Sequence, residues 1–160
     1  MPGFFLRPLE PGDRDWVKQF TAQQWRTDFI VAHGEVLYPA ELPGFVALEQ
    51  EERIGLVTYS VTEKGCEIVT INSVAKQAGV GTALIEATKA VARQRGCKRV
   101  WLITTNDNLD ALRFYQRRGF QIVAVARNAI EESRKLKPRI PTIGFYGIPI
   151  RDEIELEIVL

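Results

Sequence analysis

Residues 68 to 84 read Ile68-Val69-Thr70-Ile71-Asn72-Ser73-Val74-Ala75-Lys76-Gln77-Ala78-Gly79-Val80-Gly81-Thr82-Ala83-Leu84. A β-branched run feeds a glycine-containing turn, and the turn opens into a segment of helical periodicity. First-turn amides of a helix lack internal partners and carry the positive end of its dipole. Gly79 and Gly81 remove side chains that would block an oxygen-rich anion, so residues 76 to 82 predict a phosphate or pyrophosphate cradle of backbone N–H groups. A nucleotide P-loop requires Gly-Lys-Ser/Thr, whereas Gly81 is followed by Thr82-Ala83. A dinucleotide fingerprint wants a third small residue where Leu84 stands. A plainer reading stays open, in which the two glycines only let the helix pack closely on the sheet.

Working outward, Val80, Ala83, Leu84, Ala87, Ala90 and Val91 share one helical face, with Glu86, Lys89, Arg93 and Gln94 opposite. Gly96 ends that helix. Val100 to Ile103 is a continuous apolar run, expected for a strand covered on both faces. A second helix is predicted from about Asn108 to Arg118, closed by Gly119, and Gln121 to Ala126 is the next strand. Upstream, Phe45–Leu48, Arg53–Val61 and Cys66–Ser73 predict an antiparallel meander with a turn at 50–52. Nearer the start, Phe4–Leu9 predicts a strand, and Asp13 is a candidate cap for a helix to about Trp25 with Trp16, Val17 and Phe20 on one face. Residues 27 to 44 have no assignable element. Residues 129 to 152 read as a charged helical turn followed by a long ordered loop, and residues 153 to 160 alternate as a half-buried strand. That strand has two possible homes, its own sheet or the edge of a second subunit. The sum is one mixed α/β domain over residues 1–160.

Bulk composition narrows function more than it defines it. The 160 residues suit one domain with a full core, and 46% hydrophobic with 26% charged residues is ordinary for a globular chain. Twenty-one Lys and Arg against twenty Asp and Glu give a charge of +1, so no bulk field argues for nucleic acid or an anionic membrane. Cys66 and Cys97 are expected as reduced thiols. The start, Met1 to Arg7, lacks the basic and apolar regions of a signal peptide, and no apolar run approaches a membrane span. The expected setting is the cytoplasm. No His/Cys cluster has metal-ligand spacing, so no metal is expected.

The next strand–helix connection reads Asn108-Leu109-Asp110-Ala111-Leu112-Arg113-Phe114-Tyr115-Gln116-Arg117-Arg118-Gly119-Phe120. Taken with Lys76-x-x-Gly79-x-Gly81, the chain resembles the GNAT acetyltransferase superfamily. That family's acyl-CoA loop is written Arg/Gln-x-x-Gly-x-Gly/Ala, and its following helix Asn-x-x-Ala-x-x-Phe-Tyr-x-x-x-Gly-Phe. Order and spacing agree, and the likeness is good over residues 45 to 126. Lys76 departs from the usual Arg or Gln, although a lysine serves phosphates as a point charge.

The resemblance implies a central mixed, mostly antiparallel sheet of about seven strands flanked by helices. It implies acetyl-CoA as co-substrate, held by residues 76 to 82 (Lys76, Gln77, Ala78, Gly79, Val80, Gly81 and Thr82) with Ile71, Ser73, Asn108, Ala111 and Phe114. The sheet would part where the strands ending near Ile71 and Thr104 separate, and a backbone N–H of residues 71 to 73 would polarise the thioester. An amine acceptor, small molecule or peptide, would attack directly. Tyr115 is the candidate general acid toward the leaving thiolate, against the alternative of a core tyrosine beside Phe114. Glu67, His33 or water remain candidates for the base, with a solvated strand-end glutamate and a surface histidine as the plainer alternatives. Asn108 serves either the pantetheine arm or the helix N-cap. The alternative function is a non-catalytic acyl-CoA-binding module. The acceptor itself is not legible, and a homodimer is open.

Overall fold

A computed structural model describes residues 3–74 and 79–160. Lys76, Gln77 and Ala78 of the expected cradle lie outside the described residues. Nine strands are described: β1 Phe5–Pro8, β2 Ile30–Ala32, β3 Glu35–Leu37, β4 Gly44–Glu49, β5 Glu52–Thr62, β6 Gly65–Ser73, β7 Arg99–Thr105, β8 Gln121–Ala126 and β9 Glu153–Val159. Four helices join them: α1 Arg14–Trp25, α2 Val80–Gln94, α3 Leu109–Arg117 and α4 Ala129–Leu136. Seven strands form one sheet in the order β1-β4-β5-β6-β7-β9-β8, and β2 and β3 pair separately. Only the β6–β7 contact is parallel within the seven-stranded sheet.

The meander forms because alternating apolar residues meet tight turns. Gln50 and Glu51 both adopt positive φ, the backbone of a two-residue hairpin turn joining β4 to β5. Between β5 and β6 the register slips so that Thr58 faces Thr70 while Tyr59 faces Ile68, leaving Val69 as the extra residue of a bulge. The helix α2 lays Val80, Leu84, Ile85 and Ala92 on one sheet face, where they join Val57, Ile68, Val100, Leu102 and Leu156 in the main core. On the other face Val17 and Phe20 of α1 pack on Leu56. The helices flank the sheet as expected, and Gly96 (φ +74) and Gly119 (φ +95) end α2 and α3 where the sequence placed the stops.

Two local expectations are corrected, for residues 129 to 136 and for Asp13, and two open segments are resolved. Residues 27 to 44 hold the β2–β3 hairpin and a 3-10 turn at Pro39–Glu41. Residues 129 to 136 form a full two-turn helix, longer than a single turn. Asp13 does not cap α1 with its side chain. Instead its carboxylate accepts from the Glu10 N–H (2.8 Å), from Arg7 and from the Arg53 Nε (3.0 Å). Of the two homes left open for residues 153 to 160, the strand takes its own sheet, where β9 is inserted between β7 and β8, and β8 is an exposed edge.

Candidate active site

The parallel contact between β6 and β7 is short. It covers Cys66/Val100, Glu67/Trp101 and Ile68/Leu102 and then stops. Beyond it β6 continues to Ser73 bonded to β5, and β7 continues to Thr105 bonded to β9. The sheet therefore opens into a wedge whose walls carry unpaired backbone groups, a chemistry that suits an extended amide-bearing ligand. The bulge at Val69 lies at the root of this wedge.

A cleft of about 390 Å³ occupies the wedge mouth. Residues 71 to 73 line it from β6, Gly79, Gly81 and Thr82 from the start of α2, and Asp110, Ala111, Phe114, Tyr115 and Arg118 from α3 and its end. Gly79 has φ +94, a conformation L side chains seldom adopt, and space is open where its Cβ would be. The first bond of α2 runs from the Ala83 N–H to the Gly79 carbonyl (2.9 Å), so the amides of residues 80 to 82 have no partner within the helix.

Gly81 plays a different part from Gly79. A Cβ there would lie 2.8 Å from Phe114 Cζ, so its bareness is required by the packing of α3 against α2. Phe114 in turn carries the Arg118 guanidinium 3.6 Å above its ring centroid. Arg118 Nε donates to Thr82 Oγ1 (2.9 Å) and its Nη1 to the Phe114 carbonyl (2.9 Å). A fixed positive charge thus stands beside the first turn of α2. Sequence reasoning missed Arg118. Its signal was a basic residue four places after Phe114, on the helix face that looks toward Thr82.

Tyr115 is buried and packs edge-on against Phe114 and Phe120. Its hydroxyl has no hydrogen-bond partner among the described residues, although the side chain also lines the cleft. Burial pushes its phenol well above the ordinary value, so it stays protonated at neutral pH. Asn108 accepts from the Ala111 N–H (3.3 Å) and is the N-cap of α3, which commits its side-chain oxygen to the helix. Cys66 is a free thiol pushed up to about 12, chiefly by burial, and supplies no thiolate nucleophile at neutral pH.

Neither plainer alternative for the base candidates survives. Glu67 is only 6% exposed. His33, half-buried in the β2–β3 turn, places Nε2 2.8 and 3.0 Å from the two Glu67 oxygens. The His33 ring lies 5.5 Å from that of Trp101, and its backbone N–H donates to the buried Glu153 carboxylate at 3.2 Å. The Glu67 hydrogen bond raises the imidazole pKa, against the opposing effect of burial. Residues 33, 67 and 153 come together only in three dimensions, so only the types of residue were visible in the sequence.

The pattern of the Acetyltransferase (GNAT) family matches residues 9–120. The chain belongs to that family. Two relatives from Bacillus subtilis (strain 168) are the uncharacterized proteins YdhI and YxbD. YdhI is 44% identical over 136 residues, covering 84% of this chain and 85% of its own length. YxbD is 41% identical over 144 residues, covering 89% and 91%. Among solved structures, the fold is shared with an IAA acetyltransferase from Bacillus cereus ATCC 14579 at TM-score 0.73 and 19% identity, covering 98% of this chain and 99% of that one. A GNAT family acetyltransferase from Elizabethkingia anophelis with acetyl-CoA bound superposes at TM-score 0.69 and 20% identity, covering 99% of each chain. The GNAT frame accounts for the parted parallel strands and for the helix start at the mouth of the wedge. Among the described residues, no helix is long and apolar enough to cross a membrane.

Proposed function

We propose that this GNAT protein is an N-acetyltransferase that moves an acetyl group from acetyl-CoA to an amine by direct attack. The observation that carries the reading is the wedge between β6 and β7, which ends at first-turn amides of α2 that have no partner within the helix. The pyrophosphate of the co-substrate suits those amides, with Arg118 as the adjacent cation and Lys76 as a further one. The pantetheine arm suits the wedge as a pseudo-strand against Ile71 to Ser73, with Ala111 and Phe114 packing along it. The Asn108 amide nitrogen remains for a bond to the same arm once its oxygen has capped α3. That one bound structural relative contains acetyl-CoA supports the choice of ligand.

In this reading the thioester carbonyl lies near the bulged part of β6, where backbone N–H groups stabilise the developing oxyanion. Tyr115 protonates the leaving thiolate. Burial keeps the phenol protonated, so it carries an O–H to offer the sulfur as a hydrogen bond, and the proton follows as the thiolate leaves. The base function falls to the Glu67–His33 pair. The acceptor is an amine, of small-molecule or peptide origin.

Calorimetric titration with acetyl-CoA tests the first half. Binding in the wild type, weakened about tenfold or more in Thr82→Glu, where a carboxylate faces the phosphate position, is the expected result. Tyr115→Phe tests the second half. It should keep acetyl-CoA affinity and lower kcat about 100-fold. A wild type that binds no acyl-CoA would refute the proposal, and a Tyr115→Phe protein with full turnover would remove Tyr115 from the chemistry.

A further inference from the structure

His33 and Gly34 form the two-residue turn between β2 and β3, and both have positive φ (+42 and +79). Such turns favour Asn, Asp or Gly at the first position, so a histidine there is held against a local conformational cost. What holds it is long-range. Glu67 on β6 takes the ring and Glu153 on β9 takes the backbone N–H, so the turn lies across β7, which separates these two strands. The pair Glu67/Trp101 is one step before the last parallel pair, Ile68/Leu102. The imidazole therefore stands over the root of the wedge, on the face opposite α2.

The ring's two nitrogens have different surroundings. Nε2 is within hydrogen-bond reach of both Glu67 oxygens. Around Nδ1 the nearest acidic atom is Glu35 Oε2 at 3.9 Å, beyond hydrogen-bond reach. In the neutral ring Nε2 carries the hydrogen and donates it to Glu67, leaving the Nδ1 lone pair free. Glu67 itself is a poor direct base, because it is buried with both oxygens turned to His33.

We propose that His33 takes the acceptor's proton at Nδ1, with Glu67 positioning the ring and Glu153 holding the turn, an assignment that rests on the acetyl-transfer reading above. The acceptor ammonium gives one proton to Nδ1. The neutral amine then forms a C–N bond to the thioester carbon, the C–S bond breaks, and the electron pair leaves on sulfur. The second amine proton ends on that sulfur, and His33 returns its own proton to solvent. An ammonium and acetyl-CoA thus give an amide, the CoA thiol and one proton. The groups facing His33 are Glu67 from β6, Glu153 from β9, Glu35 from β3 and the uncharged Trp101 from β7. Three carboxylates around one imidazole favour the imidazolium formed in the step.

His33 is the chain's only histidine, so an isotope-labelled histidine gives one ring to follow by NMR. The ring is expected to carry its hydrogen on Nε2 and to titrate above the ordinary value of about 6.5, moving down in Glu67→Gln. Turnover is then compared for phenethylamine and O-benzylhydroxylamine, probes of similar shape, of which only the second arrives neutral at neutral pH. His33→Gln and the turn-compatible His33→Asn should each lower kcat/KM for phenethylamine about 100-fold or more. Both should leave O-benzylhydroxylamine nearly unaffected and acetyl-CoA affinity unchanged. A ring protonated on Nδ1, or an equal loss with both amines while acetyl-CoA still binds, overturns the assignment of His33 alone. Failure of the wild type to bind acetyl-CoA overturns the acetyl-transfer reading and this assignment with it.

Discussion

Substituting Gly81 by Ala tests how tightly α3 is pinned to the start of α2. The new Cβ would sit 2.8 Å from Phe114 Cζ and 3.2 Å from Cε1. Carbon atoms prefer about 3.5–4.0 Å, so the ring must withdraw by roughly 0.7–1.2 Å. Withdrawal is resisted, because Phe114 is clamped beneath Arg118, which is itself bonded to Thr82. Overpacking of this kind costs about 1–3 kcal/mol, and the gain from replacing glycine in a helix offsets about 0.5–1 kcal/mol. A net loss of about 1 kcal/mol is expected, seen as a Tm about 2–4 °C lower for a domain of this size. Urea and thermal unfolding measure it directly. The decisive comparison is the double variant Gly81→Ala with Phe114→Leu, which should show a favourable coupling of about 0.5 kcal/mol or more. An unchanged or raised Tm in Gly81→Ala, or no coupling, would refute the claim that this glycine is required by Phe114.

Stability should also follow pH at two sites, one buried and one half-buried. The Asp13 carboxyl is held far below its usual range, first by the hydrogen bond from Arg7, with the Glu10 N–H and Arg53 adding to it. A depressed acid contributes stability above its unfolded pKa of about 3.9 and loses it as pH falls toward the folded value. Asp13→Asn should therefore cost about 2 kcal/mol at neutral pH and flatten the acid limb in urea unfolding. His33 has the opposite sign. Its raised pKa gives a contribution fully present below about 6.5 and lost as pH rises through the folded value. The difference in unfolding free energy between wild type and His33→Gln should shrink across that window, and a constant difference would contradict the Glu67–His33 bond.

Much of the frame was legible because it is written in local signals. The charged break at residues 50–52 and the glycines at 96 and 119 set the element ends, and helical periodicity set α2. The start of α2 was legible because Gly79, at φ +94, stands where the backbone conformation favours glycine. The β2–β3 hairpin was not legible, since its strands are three residues each and its turn is His33-Gly34 instead of a favoured Asn-Gly. Contacts between distant positions escaped for a related reason. Glu67 looked like a solvated strand-end residue, and nothing local says that a residue 34 positions away covers it. Lys137 belongs to the charged stretch after residue 129, and nothing local says that its ammonium is folded in to donate to the Trp25 and Phe29 carbonyls. Gly81 was read as space for a ligand or for close packing, and although it lines the cleft, a Cβ there would meet Phe114.

The position of β9 has a consequence for how the chain is built. β7 and β8 touch in neither direction; each bonds to residues 153–159, which are synthesised after both. A nascent chain carrying β7, α3 and β8 therefore holds two unsatisfied strand edges until this later segment leaves the ribosome. The seven-stranded sheet cannot be complete before residues 153–159 are available to bond both neighbours. Such late, non-local closure is slow and leaves sticky edges open. In vivo yield should thus depend more on residues 153–159 than their share of the core implies.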